Sequence, residues 1–368
     1  MTILLIANTA WNIWHSRTAL IGDLAMRGHR VVSAGAVDSS VPQIRAAGID
    51  FRPLRCLDPG NLRPDRELRT LGEIYQLLRI VRPDRVLLYT PKIVLLAGLA
   101  ARLALVPRVA VITGQGYAAL HGGWVNRRLV PLLYRLSLGG SRAVVCYNRA
   151  DLDYFHERGV PRDRLHLIPG SGVDTDYFSP LPYPAAGANE LRLLYIGRLL
   201  YDKGLRELAA ALRLLKKEGH AIECTLLGQL APPNPAAVPA TELEQWIAEG
   251  LVIHRPPADD IRPFLARTHA LVLPSYREGI PRAALEAMAA ARPLIMSDAP
   301  GCGELVEESK NGFTARVRDA ESLAEAIRKF SRLDQKKRTA LGEASRRMVE
   351  QGYGLEEINR RLIAVIEA

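Results

Sequence analysis

The feature that most constrains this chain is an alternation of short apolar runs and helical segments that occurs twice. In the first half, "ILLIAN" (3–8), "HRVVSAG" (29–35), "DRVLLYT" (84–90), "RVAVIT" (108–113), "AVVCY" (143–147) and "LHLIP" (165–169) each read as a buried strand, separated by helical stretches. A second series follows in "LRLLYIG", "AIECTLLG", "LVIHRP", "ALVLPS", "RPLIMSD" and "GFTARV", between residues 191 and 317. Alternation of this kind is the signature of a parallel, doubly wound sheet, because parallel neighbours need long crossovers and helices supply them. Between the two series lies "SPLPYPAAGANE" (179–190), rich in Pro, Ala and Gly, which reads as a linker. The expected fold is therefore α/β, with two Rossmann-like doubly wound domains, 1–180 and 181–350, facing a central cleft. The last stretch, 351–368, is an amphipathic helix that can cap either domain.

At 368 residues the chain is long for one core. With 48% hydrophobic and 24% charged residues it is foldable and of ordinary soluble composition. Cys56, Cys146, Cys224 and Cys302 are far apart with no CxxC pair, so neither a zinc site nor a disulfide framework is signalled, which suits a reducing cytoplasm. The N-terminus "MTILLIANTA" lacks the basic and long apolar regions of a signal peptide. The most apolar stretch, 86–106, contains Pro91, Lys92 and Arg102 and reads as strand, turn and helix rather than a membrane span. The formal charge of +10 is uneven: residues 1–180 hold 23 Lys and Arg against 14 Asp and Glu, and the remainder 26 against 25. A basic half attracts nucleic acid, anionic lipid or phosphorylated substrates. No RNP-type aromatic motif, KH loop or zinc finger is present, so no nucleic-acid partner is expected.

Two segments carry polar residues where α/β sheets bind ligands, at the carboxyl ends of strands. In "REGIPRAALEAMAAARP" (277–293), Pro281 suits the first helical position, which places Glu278 on the strand-to-helix loop and Glu286 one turn past Arg282. A helix N-terminus there favours an anion. In "YIGRLLYDKGLREL" (195–208), a strand ends at Gly197 and a helix begins near Gly204, with Arg198 and Lys203 between them. Two cations on such a loop suit a diphosphate, with Arg giving directed donors and Lys a point charge. Taken alone, a basic solvated loop and an Arg282–Glu286 pair account for the same residues.

Together, "GRLLYDKG" and "EGIPRAALEAMA" resemble the retaining glycosyltransferases of family 4, which have the GT-B fold. The resemblance extends to "IPGSGVDTDYFSP" and "PGCGELVEESKNGF" and spans nearly the whole chain. Within the family, "ANTAWNIWHSR", "GLAARLALVPRV" and "TGQGYAAL" are similar to transferases that extend undecaprenyl-diphosphate-linked sugars for capsules, O-antigens and bacterial N-glycans. The resemblance implies a retaining, metal-independent enzyme with a UDP-sugar as donor substrate and no cofactor. Arg198 and Lys203 would sit on the donor diphosphate and Glu286 on the ribose hydroxyls. Glu278 and the backbone of Gly279, Ile280, Pro281 and Arg282, with Gly197, would hold the transferred sugar and the adjoining phosphate. The leaving nucleotide would take the acceptor proton on the same face, so no protein base is required. By subgroup analogy the sugar is a HexNAc such as GalNAc and the acceptor a polyprenyl-diphosphate-linked saccharide at the inner face of the cytoplasmic membrane. A soluble acceptor, or a non-catalytic nucleotide-sugar-binding role, is the alternative.

Other features fit around that frame. "VITGQGYAA" (111–119) is a weak dinucleotide fingerprint, and residues 120–150 contain no acid to hold a ribose, so an NAD site is not expected. In the GT-B reading Gly114, Gln115 and Tyr117 line the acceptor side with Trp11, His15 and Arg17 on the first loop, and with His121. "DTD" (174–176) matches a structural turn segment of the family rather than a metal site. "WVNRRLVPLLYRLSL" (124–138) combines Trp124 and leucines with Arg127, Arg128 and Arg135, which suits peripheral contact with an anionic membrane, although a helix packed on the sheet also explains the leucines. Two departures stand out: Ala291 where the family has Gly after the helix, costing about 1 kcal/mol if left-handed, and Gly303 where the subgroup commonly has Arg, which leaves the donor sugar open.

Overall fold

The computed structural model describes residues 1–60, 63–114, 124–184, 191–230, 234 and 236–368, with the helical backbone alone over 124–129. The chain forms two units, Met1–Ser171 with Ile358–Ala368, and Gly172–Glu357.

The first unit runs β1 (Thr2–Thr9), α1 (Ala10–Met26), β2 (Arg30–Ala36), α2 (Val41–Ala46), β3 (Asp50–Pro53), α3 (Pro64–Val81), β4 (Arg85–Tyr89), α4 (Pro91–Leu103), β5 (Arg108–Ile112), α5 (Trp124–Leu138), β6 (Ala143–Cys146), α6 (Arg149–Glu157) and β7 (Leu165–Leu167). Its strands make one parallel sheet in the order β3-β2-β1-β4-β5-β6-β7. β1 is central: Ile3, Leu4, Leu5, Ile6 and Ala7 are fully buried, with Ile3 opposite Val31 on one side and Arg85 on the other. Continuous apolar strands of this kind are what a sheet covered on both faces requires. β3 is absent from the series expected from sequence. It is a four-residue edge strand in which Phe51 alone is buried, so it has no apolar run to detect. α1 starts directly after β1 because the Thr9 hydroxyl caps it, accepting the Asn12 N–H at 3.1 Å. Trp11, His15 and Arg17, expected on a loop, therefore lie in a helix. α4 and α5 approach closely at Gly98, where a Cβ would stand 2.8 Å from the Ser137 Cβ.

The second unit runs β8 (Leu191–Ile196), α7 (Leu205–Lys217), β9 (Ile222–Leu227), α8 (Ala240–Ala248), β10 (Ile253–Arg255), α9 (Arg262–Arg267), β11 (Ala270–Leu273), α10 (Arg282–Ala289), β12 (Leu294–Ser297), β13 (Gly312–Ala315), α11 (Ala320–Ser331) and α12 (Gln335–Gly352), followed by α13 (Leu355–Glu367). The parallel order is β10-β9-β8-β11-β12-β13, so the winding reverses between β8 and β11. Such reversal points open a crevice at the carboxyl ends of the two strands. β8 and β11 are the strands that lead into the two motifs.

The unit boundary falls after Ser171 instead of residue 180. The Val173 N–H donates to the Tyr353 carbonyl at 3.0 Å, and Arg346 donates to the Thr175 and Phe178 carbonyls, tying 173–178 to α12 and the turn after it. From Ile358 on, α13 belongs to the first unit, where Asn359 donates to Asp23 at 2.7 Å, Arg361 to the Leu167 carbonyl at 2.7 Å, and Glu367 meets His29 at 3.0 Å. In "DTD" the Asp174 carboxylate accepts the N–H groups of Asp176 and Tyr177, at 3.0 and 2.8 Å, closing a local turn. Ala291 is left-handed, with φ 57°. The four cysteines are free thiols.

Candidate active site

The first motif follows β8 through a single 3₁₀ turn, Tyr201–Lys203, into α7. Gly204 joins them at φ 71°, and a Cβ on it would lie 2.0 Å from the Pro274 carbonyl oxygen. Only glycine lets this turn rest on the end of β11. A second tie is the Tyr276 N–H, which donates to the Asp202 carbonyl at 2.8 Å. The turn thereby delivers the Lys203 ammonium to the Glu278 carboxylate as a direct ion pair, with both side chains mostly buried.

The Glu278 loop is held from its other side by the loop after β12. The Glu278 N–H donates to the Pro300 carbonyl at 3.0 Å, and Gly301, at φ 77°, would set a Cβ 2.2 Å from the Gly279 carbonyl. Three loops from β8, β11 and β12 are thus stacked backbone on backbone at glycine contacts. Under them lies the fully buried Tyr195, whose hydroxyl donates to the Arg198 carbonyl at 2.8 Å. That bond fixes the Arg198 backbone while its side chain points outward into solvent. Burial pushes the Tyr195 phenol well above its ordinary range; the Glu278 carboxylate adds to the effect and the Arg198 guanidinium opposes it.

Pro281 is the N-cap of α10, not its first helical residue: its ψ of 118° is extended, and the helix begins at Arg282. Its carbonyl still accepts from Ala284 at 3.0 Å, as a cap residue's does. Gly279, Ile280 and Pro281 are buried at this helix start. One turn on, Arg282 donates through Nε to Glu286 at 2.7 Å. Glu286 is 9% exposed, and burial raises its carboxyl above the usual range, with the Arg282 charge opposing.

The structure therefore brings Lys203 to Glu278, and both Glu278 and Arg198 to Tyr195, while Glu286 is engaged by Arg282. Sequence reasoning did not find Tyr195 or Gly301. The glycine needed a close-approach distance to stand out, and a strand tyrosine reads only as apolar filling.

In the first unit, Trp11 is half exposed and stacks on His15 with ring centroids 4.4 Å apart, and His15 Nδ1 lies 3.1 Å from the Trp11 carbonyl. Arg17 is buried, its guanidinium 4.0 Å from the Tyr89 ring centroid. Gly114 follows β5 at φ 126°, and Gln115, Tyr117 and His121 lie outside the described residues. Of Trp124, Arg127 and Arg128 only the backbone, within α5, is described. Further along this helix Val130, Tyr134 and Leu138 join the core, and Leu132, Arg135 and Leu136 face outward. Among the described residues no helix is long and apolar enough to cross a membrane.

Two parallel doubly wound sheets, with a basic turn and an acidic loop at the reversal point of the second, define the GT-B class of glycosyltransferase. Residues 14–170 match the glycosyl transferase 4-like domain and residues 184–348 the glycosyl transferases group 1 model, and the chain belongs to this family. It is 32% identical over 219 residues to the putative colanic acid biosynthesis glycosyltransferase WcaL of Escherichia coli, a match covering 57% of this chain and about half, 52%, of that protein. It is 24% identical to the N,N'-diacetylbacillosaminyl-diphospho-undecaprenol alpha-1,3-N-acetylgalactosaminyltransferase of Campylobacter jejuni, over 89% of this chain and 88% of that one. Anabaena HepE, solved with UDP and glucose, superposes with a TM-score of 0.79 at 19% identity over the whole of both chains.

Proposed function

We propose that the protein transfers a sugar, with retention and without a metal, from a UDP-sugar to an undecaprenyl-diphosphate-linked saccharide during assembly of a bacterial surface or glycoprotein glycan. The observation that carries this reading is the convergence of Lys203 and Glu278 at the β8–β11 reversal point, with Arg198 anchored beside them through Tyr195. As the glycosidic bond to the nucleotide stretches, negative charge grows on the departing diphosphate and positive charge on the sugar ring. Arg198 and Lys203 stabilise the first, together with the start of α10. Glu278, released from Lys203 as the diphosphate arrives, holds the sugar. Glu286 binds the ribose at the other end of the donor. The departing phosphate takes the proton of the acceptor hydroxyl, so the new bond forms on the face the old one left.

HexNAc is favoured as the transferred sugar by the likeness to the Campylobacter enzyme, whose name specifies N-acetylgalactosamine. The basic first unit and α5 fit an acceptor presented at an anionic membrane surface on the cytoplasmic side. The test is a panel of UDP-sugars with a polyprenyl-diphosphate-linked sugar, read by product mass. One added HexNAc is expected. Transfer to a water-soluble sugar phosphate alone, or UDP-sugar binding without any transfer, would replace this reading.

A further inference from the structure

We infer that Tyr276 is a positioning residue for the transfer: its hydroxyl, held by Glu207, locks the loop that carries Glu278 against the turn that carries Lys203. The inference rests on the roles proposed above for Lys203 and Glu278, and adds the group that sets their spacing. Tyr276 follows β11, two residues before Glu278. Its backbone N–H donates to the carbonyl of Asp202, the residue before Lys203, at 2.8 Å. Its hydroxyl donates to Glu207 Oε1, in the first turn of α7, also at 2.8 Å. The two bonds grip the chain on both sides of Gly204, where the turn rests on Pro274. From the loop after β13, the Arg318 guanidinium lies 4.6 Å from the Tyr276 ring centroid and holds the ring in place.

The phenol is the donor and the carboxylate the acceptor, because burial pushes the Tyr276 hydroxyl above its ordinary range and the bond to Glu207 adds to that. Glu207 depends on the bond in turn. Its Oε2 is buried and has no partner among the described residues, so loss of the hydroxyl strands this carboxylate. A second tyrosine–glutamate pair on the same turn supplies the comparison. Tyr201 donates through its hydroxyl to Glu242 of α8 and through its N–H to the Ala236 carbonyl, with the Arg206 guanidinium 3.7 Å from its ring centroid. These bonds fasten the turn to α8 and the segment before it, and leave the β11 loop alone. Of the two tyrosines, Tyr276 is the one that ties Lys203 to Glu278. Loosening that tie shifts the two charges against each other and leaves Glu286 in place within α10, so the transition state suffers while donor binding persists.

The test is steady-state transfer from a UDP-sugar by single variants of both tyrosine–glutamate pairs, with amide hydrogen exchange of the same proteins. Tyr276→Phe and Glu207→Leu are each expected to lose about tenfold or more in kcat, with the KM for the UDP-sugar within about twofold of wild type. Glu207→Gln keeps an oxygen for the hydroxyl and should recover most of kcat, and Tyr201→Phe should stay within about twofold of wild type. The double variant Lys203→Ala, Tyr276→Phe should be no slower than Lys203→Ala, because the hydroxyl acts through the lysine; a merely structural role would slow both backgrounds alike. Exchange in Tyr276→Phe should quicken over 200–204 and 276–280 and match wild type elsewhere in the second unit. Unchanged kcat in Tyr276→Phe, a loss carried by KM, an equal loss in Tyr201→Phe, or unchanged exchange at both segments would each overturn the assignment. Absence of transfer by wild type would overturn the proposed reaction instead, and exchange at the two segments would then decide whether Tyr276 holds them together.

Discussion

Lys203 and Glu278 are 75 residues apart in sequence and form an ion pair across the ends of two neighbouring strands, with little of either side chain exposed. The pair holds a cation and a carboxylate at the reversal point of the sheet, where an incoming diphosphate would compete for the cation. Lys203→Ala removes that cation, and Arg198→Ala removes the second. Each variant is expected to reduce kcat by about 10²-fold or more, the range seen when one donor to a developing charge is lost. Thermal unfolding should stay cooperative, because both groups sit on loops at the rim of the sheet. Transfer of radiolabelled sugar is the measurement, and near-normal turnover in both variants would place the diphosphate elsewhere.

Glu286 gives a different signature. A residue that binds ribose equally in ground and transition states changes KM and leaves kcat alone. Glu286→Gln should raise the KM for the UDP-sugar about tenfold, in keeping with the loss of a hydrogen bond to a charged group. Burial raises the wild-type carboxyl, so it is protonated, and a poorer acceptor, at a higher pH than an exposed glutamate. Donor affinity should therefore fall on acidification through that raised pKa in wild type and stay flat in Glu286→Gln. The sign for stability is opposite: with the folded pKa above the unfolded 4.5, this group's contribution is greatest below 4.5 and declines as pH rises through the folded value.

Most of the architecture was legible because parallel strands covered on both faces need apolar runs, and twelve of the thirteen described strands fall on such a run in the sequence. β3 does not, since an edge strand of four residues needs little burial. The boundary was set at 180 by the Pro, Ala and Gly of 179–190, whereas the division after Ser171 depends on the Thr175 and Phe178 carbonyls being taken by Arg346, distant in sequence. At the candidate site, Arg198, Lys203, Glu278 and Glu286 were singled out by type and spacing. The pairing of Lys203 with Glu278 was not, because it depends on the contact of Gly204 with Pro274. Arg17 shows what residue type leaves out: expected on the first loop, it lies in α1 with its guanidinium buried over the Tyr89 ring.

If Arg198, Lys203 and the start of α10 supply the charge stabilisation, a divalent ion is dispensable. Turnover in EDTA should equal that in its absence. Loss of transfer on chelation, recovered with manganese, would add a cation to the diphosphate site.

A second pH effect concerns stability alone. His269 is fully buried, its Nδ1 accepts the Arg192 N–H at 2.9 Å, and its Nε2 has no partner among the described residues. Burial, with Arg192, Arg338 and Arg292 adding to it, lowers its pKa from 6.5 to about 4. Because the folded value is depressed, the contribution is fully present above 6.5 and is lost as pH falls toward 4, worth roughly 3 kcal/mol in all. His269→Asn keeps an acceptor and cannot charge. Its melting temperature should fall less steeply than wild type between pH 7 and pH 4, and parallel curves would show that other groups dominate.

Two left-handed positions, Gly204 before α7 and Ala291 after α10, should respond in opposite directions to exchanging alanine and glycine. Gly204 has φ 71° and a carbonyl oxygen 2.0 Å from where a Cβ would stand, so Gly204→Ala adds left-handed strain to a backbone clash that no side-chain rotation relieves. A loss of about 3 kcal/mol or more is expected. Because the turn must lift from Pro274, Lys203 moves away from Glu278 and turnover should fall with stability. Ala291, at φ 57°, ends the segment after α10 and already bears such strain. Ala291→Gly relieves about 1–2 kcal/mol of it, against about 0.4–1 kcal/mol for the added freedom of the unfolded chain. A net gain of about 0.5–1 kcal/mol should raise the melting temperature by a few degrees. Turnover should not change, since Ala291 lies beyond the C-terminal end of α10, away from the loop that carries Glu278. Thermal denaturation of both variants beside a transfer assay makes the comparison, and equal stability of Gly204→Ala and wild type would mean that the turn does not rest on β11 as described.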